Sequence, residues 1–175
     1  MLKSAMPPPL VFIHSDSSER PNPWKCTGNI CRSPTAEGVF RDRVRQAGLA
    51  GRIGTDSAGT HSYHVGEAPD PRSQRAAKAR GVDLSDLRAR KVTAADFADF
   101  DYILAMDGGH LAQLRRMAPP DSRATVALFL DYAPDAPKRE VPDPYYGEGL
   151  HFTEVLDLCE AGAMGLLEAI RRDRL

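Results

Sequence analysis

The amino-acid sequence predicts an α/β fold, in which parallel strands form an open sheet and helices connect them as right-handed crossovers. Two observations indicate the fold class and the number of domains. Short apolar stretches that suit buried strands alternate with segments of helical periodicity along the 175 residues. A chain of this length can also bury one hydrophobic core, so we expect a single domain.

The strands are predicted from short apolar runs. The clearest is DYILAMD (101–107), followed by ATVALFL (124–130), whereas RIGTDSAGT (52–60) is a weaker strand and turn. LVFIH (10–14) is a fourth candidate for a buried strand. The segment after residue 130 is polar, proline-rich and longer than an ordinary connection, which favours a functional loop.

The helices are predicted from the residues at their ends. Ser33 and Pro34 suit the N-cap and first position of a helix that stops at Gly48. A second helix begins near Pro71 and ends at Gly81. Apolar residues at helical spacing from 152 to 170 predict a long C-terminal helix packed on the sheet.

Five further side chains are given structural rather than chemical roles. Asp107 follows a strand and is expected to cap the next helix, and Cys159 lies on an apolar helix face and is expected in the core. His14, His110 and His151 are expected to be surface or half-buried residues without a function.

Composition excludes several classes of partner. A formal net charge of −1 gives no overall attraction to nucleic acid or to an anionic membrane. No apolar run approaches the roughly 20 residues of a membrane span, and the N-terminus does not read as a signal peptide. Three cysteines form neither a disulfide framework nor a zinc-type spacing. We therefore expect a cytoplasmic protein that binds neither membrane nor nucleic acid, and we predict no cofactor.

CTGNICRS (26–33) has the composition of an anion-binding loop. If the loop curls around the start of the following helix, several backbone N–H groups and the positive end of the helix dipole converge on one point. Gly28 permits close backbone approach, and Asn29 tolerates a positive φ. Arg32 adds a bidentate fork that suits phosphate oxygens.

The same local field favours a thiolate at Cys26. Helix N-termini and nearby cations lower a cysteine pKa from about 8.5 to roughly 3.5–7.5. A thiolate that faces a bound phosphoryl group is an activated nucleophile. Ser33 is expected to donate a hydrogen bond to this sulfur, which would stabilise the thiolate and help it to leave.

A phosphocysteine mechanism also needs an acid for the leaving oxygen, and VPDPYY supplies Asp143 on a loop after the last predicted strand. Asp143 would first protonate a phenolate and then deprotonate the attacking water. Tyr145 and Tyr146 would form a wall of the pocket and stack on an aromatic substrate. At least one of these adjacent tyrosines should be exposed.

These motifs resemble those of the low-molecular-weight protein tyrosine phosphatases. The resemblance covers about residues 26–172 and rests on five segments in the same order: CTGNICRSPTAEGVF, TDSAGT, VGEAPDPR, ARKVTAADFADFDYILAMD and VPDPYYG. It implies a Rossmann-like, four-stranded parallel sheet with helices on both faces, and metal-independent hydrolysis of phosphotyrosine through a phosphocysteine.

The resemblance also assigns roles to residues. Cys26 becomes the nucleophile, Arg32 the phosphate clamp and Asp143 the acid, with no metal in the site. The phosphate-binding loop comprises Thr27, Gly28, Asn29, Ile30, Cys31 and Ser33. Its substrate would be a phosphotyrosine protein or a small aryl phosphate, and the oligomeric state stays open.

Four residues around this loop receive supporting roles from the same resemblance. Cys31 matches a cysteine that forms a protective disulfide with the nucleophile on oxidation, although a simple core role is an equal alternative. Ser57 matches a residue that supports the loop. Tyr63 and His64 fall where the family has residues of the pocket rim.

The N-terminus departs from the family. The family's first strand ends directly on the nucleophile, but here PNPWK precedes Cys26, and proline removes a donor from a central strand. Three explanations compete. The chain loops out from LVFIH and returns, or PNPWK lies poorly in the strand position, or residues 1–25 are an altered N-terminus. We favour the third, with a phosphatase domain at 26–175 that includes a strand from 10–25 if one forms.

A second departure is Leu87, because many family members have at this position a histidine that is hydrogen-bonded to the loop asparagine. Asn29 is therefore expected to lack one support.

Two other functions compete with a phosphatase. A phosphoprotein-binding module with weak or no catalysis is supported only by the disrupted first strand. A thiol-dependent arsenate reductase shares the fold and loop, but it needs further cysteines in mid-chain. Residues 60–120 contain none, so this function is disfavoured.

Overall fold

A computed structural model of the chain describes residues 9–14, 28–144 and 149–174, with the backbone alone at 9–14 and 149–150. The strands of these residues form one parallel sheet in the order β2-β1-β3-β4. Their bounds are β1 Pro9–His14, β2 Gly54–Gly59, β3 Tyr102–Ala105 and β4 Thr125–Leu128. The predicted α/β class with a parallel sheet is confirmed.

Strand β1 occupies a central position in this sheet. Its residue Ile13 pairs with Ala58 of β2 on one side and with Ala105 of β3 on the other. LVFIH thus forms a central strand, which is what the first of the three explanations requires. PNPWK lies outside the described residues. The altered N-terminus at residues 1–25 stays a prediction.

The helices of the described residues are α1 Arg32–Gln46, α2 Pro71–Ala79, α3 Asp96–Asp99, α4 Gly108–Met117 and α5 Gly149–Arg174, with a 3-10 helix at Phe129–Tyr132. Helices α1 to α4 lie in the connections between the strands, and the 3-10 helix and α5 follow β4. Gly48 has a positive φ just after α1, as its role as a stop predicts.

Helix α1 begins earlier than predicted. Its first residue is Arg32 and its N-cap is Cys31, so Ser33 and Pro34 both lie inside the first turn. The hydroxyl of Ser33 is hydrogen-bonded to Asn29 instead of capping the helix, which explains the difference. Pro34 is tolerated there because the first turn has no partner for its missing N–H group.

Alternate residues of β3 face two different cores. Tyr102 and Leu104 pack in the larger cluster with residues of α1 and α5, whereas Ile103 and Ala105 pack in a second cluster with residues of α3 and α4. This period of two is that of a strand covered on both faces. Cys159 is completely buried in the larger cluster, as predicted.

No helix among the described residues is long and apolar enough to cross a membrane. In a parallel sheet the carboxyl ends of the strands lie at one edge, where ligands bind in open α/β folds. The connections that follow β2 and β3, and the segment before α1, converge at this edge.

Candidate active site

The described part of the predicted phosphate loop starts at Gly28, because Cys26 and Thr27 lie outside the described residues. Asn29 has a φ of 63°, a left-handed conformation that asparagine tolerates better than most residues. Its side chain is buried, and the loop leads directly into α1. The prediction that Asn29 permits a positive φ at this turn is confirmed.

The residues at the end of β2 pack against this loop. A Cβ atom at Gly59 would lie 3.1 Å from the backbone nitrogen of Asn29, so any larger residue would require the loop to move by a few tenths of an ångström. The amide of Asn29 donates a 3.0 Å hydrogen bond to the carbonyl of Ser57. The loop is thus fixed to the neighbouring strand.

The hydroxyl of Ser33 donates a 2.6 Å hydrogen bond to Oδ1 of Asn29. A hydroxyl has a single hydrogen, so a hydrogen bond from Ser33 to the sulfur of Cys26 would compete with this one; that hydrogen bond stays a prediction, because Cys26 lies outside the described residues. Ser33 holds the side chain of Asn29 from the helix side.

Glu37 extends this network and was missed in the sequence analysis. Ser57 donates a 2.6 Å hydrogen bond to Oε2 of Glu37, whose side chain is only 6% exposed. Burial raises the pKa of Glu37 to about 7, the nearby carboxylate of Asp56 adds to this, and the hydrogen bond from Ser57 opposes it. A signal was present, because Glu37 stands at helical spacing from the buried Phe40 and Val44.

Arg32 is a buried guanidinium between two acidic side chains. Its Nη1 lies 3.0 Å from Oδ2 of Asp107 and donates a 2.8 Å hydrogen bond to the carbonyl of Val141. Its Nη2 lies 4.0 Å from Oδ2 of Asp143. The start of α1, the end of β3 and the loop before α5 therefore meet at Arg32.

Asp107 is both the predicted cap of α4 and a partner of Arg32. Its Oδ1 accepts a 3.0 Å hydrogen bond from the backbone N–H of His110. Burial alone would raise the pKa of Asp107, but the hydrogen bond with His110 and the charge of Arg32 outweigh it and lower this pKa to about 2. Asp107 is thus a carboxylate across the whole physiological range.

The expectation for His110 is wrong. Its side chain is completely buried, and its Nδ1 lies 3.0 Å from Oδ1 of Asp107. The prediction failed because α4 turns its first-turn histidine inward, toward the carboxylate that caps it.

Other predicted residues lie around this centre. Asp143 is exposed and Pro144 beside it is buried, so the loop is anchored next to the carboxylate. Cys31 is fully buried and disulfide-bonded.

Leu87 is buried in the core, and Asn29 is held by Ser57 and Ser33 in this structure. Tyr145 and Tyr146 lie outside the described residues.

The predicted rim residues have different environments. Tyr63 is 72% exposed and stacks on His61, with ring centroids 5.8 Å apart. His64 packs over Gly28, where a Cβ atom would come within 2.8 Å of the His64 Cβ, and its Nδ1 lies 2.7 Å from Glu67. His64 therefore covers the loop, while Tyr63 projects from the surface.

Among residues 28–144 and 151–174, no group of three or more His, Cys, Asp or Glu side chains is arranged to hold a metal ion. The chemistry of the described site is that of a buried arginine, two acids and the start of a helix.

Comparison with known proteins identifies the family of the chain. Residues 24–175 match the family model described as "Low molecular weight phosphotyrosine protein phosphatase". The low molecular weight protein-tyrosine-phosphatase of Streptomyces coelicolor is 46% identical over 149 residues, which are 83% of this chain and 90% of that protein. The corresponding phosphatase of Schizosaccharomyces pombe is 50% identical over 123 residues, 70% of this chain and 78% of that protein.

A solved structure agrees with these sequence relatives. The crystal structure of YfkJ from Bacillus subtilis superimposes with a TM-score of 0.84 at 35% identity, and the match covers 99% of each chain. With the family model spanning nearly the whole sequence, the chain belongs to the low-molecular-weight phosphotyrosine protein phosphatases.

Proposed function

We propose that this protein tyrosine phosphatase works through a phosphocysteine on Cys26, with Arg32 as the phosphate clamp and Asp143 as the general acid and base. The observation that carries the proposal is the position of Arg32. A buried guanidinium at the start of α1, held by Asp107 and within 4.0 Å of Asp143, places a phosphate-binding cation beside a candidate acid.

Substrate binding is the first step. The phosphoryl oxygens would be bound by backbone N–H groups of the loop from Thr27 to Ser33 and by the guanidinium of Arg32. The positive φ of Asn29 supports this arrangement, because it turns the chain sharply before the helix. Gly28 and Ile30 contribute backbone, and their side chains need no chemistry.

Transfer of the phosphoryl group follows. The thiolate of Cys26 attacks phosphorus, a P–S bond forms, and the bond to the phenolic oxygen breaks. Asp143, in its protonated form, gives its proton to the leaving phenolate. The exposure of Asp143 supports this role, because a substrate oxygen and water both need access to it.

Hydrolysis of the intermediate completes the cycle. Asp143 accepts a proton from water, the water oxygen attacks phosphorus, and the P–S bond breaks to release inorganic phosphate and the thiolate. Asn29, Ser33 and Ser57 hold the loop in place through their hydrogen bonds.

We further propose that Cys31 protects the nucleophile. A peroxide would take two electrons from the pair, and the thiols of Cys26 and Cys31 would lose two protons as the disulfide forms. The complete burial of Cys31 and its participation in a disulfide support this role.

The phosphoprotein-binding module is not favoured. Its only support was a first strand disrupted by proline, and β1 supplies a central strand from Pro9–His14. We propose that the enzyme acts in the cytoplasm on phosphotyrosine proteins or small aryl phosphates, with Tyr63, His64, Tyr145 and Tyr146 at the rim of the pocket. No cofactor, membrane or nucleic acid enters this proposal.

Hydrolysis of p-nitrophenyl phosphate in the presence of EDTA tests the mechanism. We expect turnover by the parent, none by Cys26→Ser, and a loss of about 10²- to 10⁴-fold in kcat for Asp143→Ala. Asp135→Ala is the matched control, because Asp135 is an exposed aspartate of the same connection. It should retain the parent's kcat. Turnover by Cys26→Ser, or none by a folded parent, would contradict the mechanism.

A further inference from the structure

We infer that His110 is a positioning residue of the phosphate site, which orients Arg32 by holding the carboxylate of Asp107. The inference rests on the proposed role of Arg32 as the phosphate clamp. His110 itself would not touch the substrate, because its side chain is completely buried behind Asp107.

The two oxygens of Asp107 have separate partners. Oδ1 lies 3.0 Å from the backbone nitrogen and 3.0 Å from the ring Nδ1 of His110. Oδ2 lies 3.0 Å from Nη1 of Arg32. Because a carboxylate is planar, a partner that holds one oxygen also sets the direction of the other. His110 thereby helps to fix the position of Oδ2 of Asp107, which accepts the hydrogen bond from Arg32.

The chemistry of the pair defines the state of the imidazole. Nδ1 lies 3.0 Å from an oxygen of an ionised carboxylate, and this contact is attractive only when Nδ1 bears a hydrogen, although its direction falls short of hydrogen-bond geometry. Burial lowers the pKa of His110, while the hydrogen bond and the charge of Asp107 oppose this effect. The charges of Asp107, Arg32 and Asp143 act on the ring electrostatically, and Asp107 is the one that contacts it among the printed ion pairs of the described residues. A neutral ring with its hydrogen on Nδ1 fits between them without a second cation beside Arg32.

A buried imidazole is costly unless its polar atoms are used. An apolar residue of similar size would fill the same space without the desolvation penalty. The 3.0 Å contact of Nδ1 with Asp107 offsets part of this penalty, and Asp107 in turn contacts the phosphate clamp. Displacement of a binding group by about 1 Å can reduce a rate up to 10²-fold, which sets the scale of the expected effect.

Three variants separate positioning from simple packing. His110→Asn places an amide nitrogen close to the position of Nδ1, so it can still donate to Asp107. His110→Gln places its amide further along the side chain, nearer the position of Nε2. His110→Leu has no donor. Leu114→Ala is the matched control, because Leu114 is a completely buried residue of the same helix that packs in the second hydrophobic cluster, to which His110 does not belong.

Each protein is assayed for hydrolysis of p-nitrophenyl phosphate, inhibition by inorganic phosphate and melting temperature. Phosphate affinity is also measured by calorimetry in the Cys26→Ser background. We expect His110→Gln and His110→Leu to weaken phosphate binding and raise KM about tenfold, the scale of one lost hydrogen bond to a charged group. His110→Asn should stay within about threefold of the parent, and Leu114→Ala should lower the melting temperature without changing phosphate affinity.

The inference fails if His110→Gln and His110→Leu retain the parent's phosphate affinity, or if His110→Asn weakens phosphate binding as much as His110→Gln does. It also fails if Leu114→Ala weakens phosphate binding to the same degree. If His110→Leu does not fold, the contrast between Asn and Gln decides. A parent without turnover dependent on Cys26 contradicts the proposed function alone, because calorimetry reports on His110 without turnover.

Discussion

Glu37 makes the stability of this enzyme depend on pH near neutrality. Its pKa is raised by burial from 4.5 to about 7 in the folded protein, whereas in the unfolded chain it returns to the ordinary value. Between these two values the folded state holds a proton that the unfolded state has lost. Stability is therefore greatest below about pH 4.5 as far as Glu37 is concerned, and it falls as pH rises toward 7.

The size of this loss follows from the pKa difference. At about 1.4 kcal/mol for each unit, complete ionisation of Glu37 lowers the free energy of unfolding by about 3 kcal/mol above pH 7. For a protein of this length, about 3 kcal/mol corresponds to a change of roughly 6–12 °C in melting temperature.

Glu37→Gln tests this account directly. Glutamine keeps an oxygen that can accept the hydrogen bond from Ser57, but it cannot ionise. We expect thermal unfolding followed by circular dichroism to show the parent losing stability between pH 5 and pH 8 relative to the variant. Glu168→Gln is the matched control, because Glu168 is an exposed glutamate on another helix, and it should follow the parent at every pH. Parallel pH dependence in the parent and Glu37→Gln would refute the reasoning.

Three further predictions concern other positions. A Cβ at Gly165 would overlap the backbone carbonyl of Tyr132, so Gly165→Ala should lower the free energy of unfolding in urea by about 1–3 kcal/mol. Gly51→Ala should leave the free energy of unfolding unchanged, because a Cβ atom at Gly51 would meet open space. Equal effects of the two substitutions would contradict the packing of α5 against Tyr132. Burial raises the pKa of Cys159, so Ellman's reagent should label this thiol only after unfolding; rapid labelling of the native protein would contradict its core position. The pKa of Asp107 is about 2 in the folded protein against the ordinary 3.8. As pH falls from 4 to 2, the free energy of unfolding measured in urea should therefore decrease by about 2 kcal/mol more in the parent than in Asp107→Asn. An equal decrease in both proteins would contradict this low pKa.

Much of the fold was predictable because local and tertiary signals agree. DYILAMD reads as a buried strand and forms β3, and the acid at its end caps α4 as predicted. The start of α1 was not predicted correctly, because Ser33 has the composition of an N-cap but its hydroxyl is used by Asn29. A capping signal that rests on residue type alone cannot reveal such a competing partner.

Part of the geometry of the candidate site agrees with the sequence analysis, whereas the catalytic roles of its residues stay predictions. Arg32 and Asp143 are brought within 4.0 Å although they are far apart in the sequence, as their proposed roles require. Glu37 and His110 were missed for a different reason. Both are polar residues on buried helix faces, and only the packed structure shows which polar partner meets each of them.

The central claim is a covalent phosphocysteine on Cys26, and trapping this intermediate tests it most directly. Asp143→Ala is mixed with an aryl phosphate that has a good leaving group, quenched rapidly in acid, digested and examined by mass spectrometry. The account predicts one added phosphoryl group on the peptide that contains Cys26, and none in Cys26→Ser. A phosphoryl group on another residue, or its absence while substrate is being hydrolysed, would contradict the account.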